Sequence, residues 1–144
     1  MAGAARRDPR WVDAVLDWRW TWLLARLGLC GAYLLGGATK LLDFSAAVAE
    51  QEHFGLRPGW LWASLAIAVE LGGSALLIGG RLVWLAAGAL GALTFVATLV
   101  ANHFWTLQGA ARFTALNAFF EHIGLIAGFV MAALIARLAK RKGA

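Results

Sequence analysis

Among 144 residues there are one cysteine, two prolines, one tyrosine and only eight acidic residues. The lone Cys30 leaves no partner for an internal disulfide and no Cys-x-x-Cys pair, which excludes disulfide-exchange chemistry within the chain. Charged residues amount to 15 % against 61 % hydrophobic, and the mean hydropathy is +0.70. A soluble domain of this length needs far more polar surface, so the composition places the chain in a membrane. No internal repeat stands out. No face interleaves basic and aromatic residues, so nucleic acid is not expected as a partner.

What is present is organised by hydropathy. Four apolar segments cover residues 20–42, 58–80, 82–104 and 113–136, each long enough to span a bilayer. They define a transmembrane domain over residues 20–138, preceded by an N-terminal segment (1–19) and followed by a basic tail (139–144). Trp18, Trp20, Trp22 and Trp84 mark one set of ends and Trp60, Trp62 and Trp105 the other, the pattern of two interfacial belts. Four crossings put both termini on one side. That side, with the turn at Arg81, holds Arg6, Arg7, Arg10, Arg19, Arg137, Lys140, Arg141 and Lys142, whereas the opposite side holds Lys40, Arg57 and Arg112. The excess predicts that both termini are cytoplasmic. The first apolar segment is too long for the core of a cleavable signal, and no clear small-residue cleavage site follows it. Asp8-Pro9 reads as a helix start, and the stretch from Arg10 to Asp17 then either lies on the membrane surface or extends the first crossing.

Each segment carries one small-and-polar seam at alternating three- and four-residue steps. The seams are Arg26, Cys30, Tyr33, Gly37 and Lys40; Ala63, Ala66, Glu70, Gly73 and Leu77; Gly88, Gly91, Phe95, Thr98 and Asn102; and Asn117, Glu121, Gly124 and Gly128. Such seams predict an all-α, antiparallel, left-handed four-helix transmembrane bundle with lipid outside. Cys30 then serves as a small packing residue. Glu70 is the only charge between Trp60 and Gly80, a run roughly 31 Å long as a helix. Counting 1.5 Å per residue from the tryptophan belts puts Tyr33 level with Glu70 and Arg26 about two turns below. Arg26, Tyr33 and Glu70 are therefore expected to form an inner, register-setting cluster. Lys40, Asn102, His103, Asn117, Glu121 and His122 fall together near the other surface, and this outer group is the candidate for chemistry. A chain of such groups carries protons or binds a polar headgroup; the alternative is that they only neutralise one another.

These residues also carry a likeness. Arg26-Leu27-Gly28, the stretch Gly36 to Phe44, Glu70-Leu71-Gly72-Gly73, His103-Phe104-Trp105 and Phe120 to Gly124 resemble, in that order, the DoxX family of small four-helix bacterial membrane proteins. The resemblance spans residues 23–136, nearly the whole chain. It implies a link to membrane oxidoreductase complexes; relatives of the DoxD type act in thiosulfate:quinone oxidoreduction, and others serve in assembly. On that basis the leading expectation is a quinone-interacting membrane subunit, with His103, His122 and Lys40 as carbonyl donors, Asn117 beside them and Glu121 as proton relay. Electrons would come from a partner subunit. The other reading is a non-catalytic scaffold or assembly factor that binds its partner through the long outer loop expected at residues 43–57. Haem is not expected, because His103 at a helix end and His122 two turns in lie at different levels. A solute transporter is weaker still, since no broken helix or inverted repeat is visible.

Overall fold

The structure is a computed structural model that describes residues 9–142. Arg6 and Arg7 of the expected N-terminal segment and residues 143–144 of the tail lie outside the described residues. Those described are helical, with no strand among them. A short helix, α1 (Arg10–Leu16), follows Pro9 and precedes α2 (Arg19–Leu42). After α3 (Phe44–His53), the second crossing is built from α4 (Gly59–Ile67), a π-helical segment (Ala68–Gly73) and α5 (Ser74–Ile78). Then come α6 (Val83–Ala101), a 3₁₀ turn (Phe104–Thr106) and α7 (Gly109–Lys142). Four of these spans are long and apolar enough to cross a membrane: Arg19–Leu42, Gly59–Ile78, Val83–Thr106 and Gly109–Arg141. The protein is a multi-pass, four-helix membrane bundle.

The pairing is antiparallel. Gly37 of α2 meets Leu71, while Arg26, lower on α2, meets Ile78. Gly73 packs on Leu90 of α6, and Thr98 of α6 meets His122 of α7. The core holds Cys30, Tyr33, Leu77, Val83, Ala86, Ala87, Leu90 and Phe129. Cys30 is fully buried, as its place on the first seam predicts.

The first two seams are buried as read from the sequence, and the last two are rotated. On α6 the buried set is Val83, Ala86, Ala87, Leu90, Thr94 and Thr98, and Phe95 is exposed. On α7 Phe129, Ala115 and Ala132 are buried, with His122 half-buried, whereas Asn117, Glu121 and Gly124 are exposed. The α7 stripe is exposed from Asn117 to Gly124, and only its last member, Gly128, packs inward, against Leu29 of α2.

Both glycine-ended turns follow from local chemistry. Gly80 (φ +70°) ends α5: its N–H donates to Leu77 O and that of Arg81 to Leu76 O, the paired bonds of a Schellman motif. Gly55 (φ +78°) ends α3 in the same way, through Glu52 O and Gln51 O. The segment expected as a loop, residues 43–57, is thus mostly helix. Asp43 caps it by accepting from Ala46 N–H at 3.0 Å and from the Ser45 hydroxyl at 2.9 Å. These two donors hold the Asp43 carboxyl below the usual carboxylate range.

Candidate functional site: an ion pair at the floor of an apolar cavity

The π segment is where the second crossing departs from regular helix, and it carries Glu70. Single π turns inside α-helices are rare and concentrate at functional sites. Glycines clamp this one on both sides. A Cβ on Gly37 would lie 2.8 Å from Leu71 Cγ and 3.1 Å from Glu70 Cβ, and one on Gly73 would lie 3.0 Å from Leu90 Cγ. With hydrogen at these positions, α2 and α6 approach the segment closely enough to fix it.

Lys40, one turn above Gly37, reaches down to Glu70. Its ammonium donates to Oε1 at 3.0 Å and to Oε2 at 3.2 Å. The side chains are 20 % and 12 % exposed. This is the one salt bridge among the described residues, and it crosses the face of Gly36, where a Cβ would lie 3.5 Å from both Glu70 Oε2 and Lys40 Nζ.

The pair lies at the floor of a cavity of about 460 Å³ between α4 and α6, roofed by α3. That volume lies within the range of small-molecule sites. The walls are apolar: Ala66 and Val69 on one side, Ala92, Leu93 and Val96 on the other, with Trp62, Phe54 and Leu56 toward the roof. Glu50 and Gln51 of α3 are the other polar groups of the lining. Leu65 and Val96, both lining, are 50 % and 44 % exposed, so the cavity opens sideways onto the surface that lipid covers. Gly59 sets the roof height, because a Cβ there would lie 2.7 Å from Val48 O and 2.6 Å from Glu52 Cγ.

The expected inner cluster divides three ways. Arg26 does not pair with Glu70: its Nη1 donates to Ile78 O at 3.1 Å and its guanidinium lies 4.3 Å from the centre of the Trp22 ring. It caps the C-terminal carbonyls of the second crossing, where a cation is favoured. Tyr33 hydrogen-bonds Thr94 Oγ1 and packs edge-on against Phe129 at 5.4 Å. The expected level match of Tyr33 with Glu70 is off by one helical turn, since Gly37 is the residue that faces Glu70 and Leu71. Counting down from two tryptophan belts assumes that both helices enter at the same height, and here they are offset.

The expected outer group also divides. Lys40 leaves it for Glu70. His122 and Asn102 remain together: His122 Nδ1 lies 2.6 Å from Thr98 Oγ1 and 3.3 Å from Asn102 Nδ2, while Thr98 donates to Thr94 O at 2.7 Å. His103 turns to its own helix end, Nδ1 lying 3.2 Å from Val100 O. Asn117 and Glu121 lie on the exposed face of α7. The signal that marks the Lys40–Glu70 pair in the sequence is that each is a lone charge flanked by glycine, Gly36-Gly37 before one and Gly72-Gly73 after the other.

A family model described as DoxX matches residues 21–103. The chain belongs to the DoxX family. The matched span runs from α2 past the end of α6, so it contains Lys40, Glu70 and both walls of the cavity. His103 is its last residue, and Glu121 and His122 lie beyond it. No curated protein and no solved structure matches the chain.

Proposed function

We propose that this DoxX protein is a quinone-binding membrane subunit of an oxidoreductase complex, seated in a bacterial inner membrane with both termini cytoplasmic. The observation that carries the reading is the Lys40–Glu70 pair at the floor of an apolar cavity that opens toward lipid. A quinone is a lipid-soluble ring with carbonyl acceptors, and it reaches such a cavity laterally, between helices. Two of the three N–H groups of Lys40 are engaged by the Glu70 carboxylate, and the third is free to donate to a carbonyl oxygen. Trp62 and Phe54 provide flat apolar surface for the ring. On reduction a quinone takes up two electrons and two protons. The Glu70 carboxylate is placed to hold a proton beside that carbonyl, and Glu50 at the roof connects the cavity to water.

On this reading the electrons come from a partner subunit. The outward stripe Asn117, Glu121 and Gly124 supports a docking face for it, because a carboxylate left against lipid costs about 2.5–3.5 kcal/mol on insertion scales. His122, held by Thr98 and Asn102 on a different face of α6 from the cavity, is assigned a structural part. The charge distribution supports the orientation: Arg10, Arg19, Arg81, Arg137, Lys140 and Arg141 lie at the end of the bundle where the described chain begins and ends, and the cavity opens nearer the other end.

The test is mass spectrometry of the organic extract of purified protein. Quinone is expected with the wild type and with His122→Ala, and is expected to be lost from the double variant Lys40→Met/Glu70→Leu. A quinone-free wild type that still captures its partner would leave the scaffold reading in its place.

A further inference from the structure

A second cavity, of about 580 Å³, lies between α6 and α7 at the end of the bundle away from the Lys40–Glu70 pair. Its walls are almost wholly apolar, formed by Ala87 and Gly88 of α6 and by Val130, Ala133 and Leu134 of α7. Trp84 stands at its edge, 67 % exposed, at the interfacial belt. Its polar lining is two cations, Arg137 and Lys140, three residues apart and so on one face of α7. Both are exposed, and neither makes a salt bridge among the described residues.

The dimensions decide what fits. From Lys140 to Val130 the groove follows α7 for about 15 Å, the depth of one leaflet of a bilayer core. Two cations at the surface above an apolar groove of leaflet depth complement a ligand with an anionic head and a hydrocarbon tail. From this charge and shape match we infer that the α6–α7 groove is a binding site for an anionic phospholipid. Its phosphate sits between Arg137 and Lys140, and one acyl chain lies over Gly88 and Ala133. Gly88 borders open space in the groove: a Cβ there would meet nothing within 4 Å.

The test uses full-length protein, delipidated in detergent and titrated with dioleoyl phosphatidylglycerol or dioleoyl phosphatidylcholine, with bound lipid counted by native mass spectrometry. The wild type is expected to retain phosphatidylglycerol in preference to phosphatidylcholine. Arg137→Gln/Lys140→Gln is expected to weaken phosphatidylglycerol binding about thirtyfold, to the level of phosphatidylcholine. Gly88→Leu fills the groove while keeping both charges, and is expected to lose the retained lipid with melting temperature unchanged. Arg57→Gln/Arg112→Gln removes the same charge at the opposite end and is expected to bind as the wild type does. Equal retention of the two lipids by the wild type would overturn the site, as would an equal loss in the Arg57/Arg112 variant.

Discussion

Lys40 and Glu70 each look costly alone, and their energetics make sense only as a pair. Removing one partner of a buried ion pair leaves an uncompensated charge, whereas replacing both with apolar residues of similar size is often neutral. Glu70→Leu or Lys40→Met alone is therefore expected to lower stability by about 3 kcal/mol. The double variant is expected to melt within a few degrees of the wild type in detergent. If the double variant were as unstable as the singles, the pair would be a structural keystone and its place in a binding site would lose its support. The sequence shows that Glu70 needs a partner and points to Arg26, by counting depth from the belts. That counting misses the one-turn offset between α2 and the second crossing, which only the contact of Gly37 with Leu71 fixes. Arg26 instead satisfies helix-end carbonyls, a role that leaves no trace in residue spacing.

At the scale of elements, the long helices are legible and the irregular pieces are not. Hydropathy finds the four spans, because a run of twenty apolar residues suits little besides a bilayer-spanning helix, but not the ends of the last, where α7 runs from Gly109 to Lys142. The helix α3 is hidden, since Glu50, Gln51, Glu52 and His53 give it no apolar stripe; its signal is the Asp43 cap and the Gly55 stop. Because the folded Asp43 carboxyl titrates below its usual range, its contribution to α3 is present at neutral pH and disappears only as pH falls through that lowered value. The protection of the α3 amides relative to their intrinsic exchange is expected to be flat from pH 8 to 5 and to fall in stronger acid. Asp43→Ala is expected to exchange quickly throughout, with no such step. The seams of α6 and α7 are misplaced by sequence because small residues mark close contact of helices without saying with whom. On α7 the stripe through Asn117, Glu121 and Gly124 is exposed.

For the whole molecule, the proposed reading makes that exposed stripe the face on which a partner subunit docks. Glu121→Leu is expected to leave the melting temperature unchanged or raise it slightly, and to reduce co-purification of the partner subunit several-fold. Unchanged co-purification would move the docking face elsewhere. The four-helix class and the DoxX family are both readable from ordered glycines, charges and tryptophans across the chain. The cavity is not, because it depends on the height at which Gly59 lets α3 rest on α4.

The π turn splits the second crossing into two halves with separate work. A π turn accommodates one residue beyond the regular count, and one residue of helix is about 100° of rotation. The seam through Ala66, Glu70, Gly73 and Leu77 stays buried across it, with different neighbours on its two sides. Above the slip Gly59 touches α3 and Ala66 lines the cavity; below it Leu77 joins Tyr33 and Phe129 in the core. A single-residue deletion within Ala68–Gly73 would rotate one half against the other by about 100° and turn one of these faces toward lipid. Length, in this stretch, is as much a functional property as residue identity.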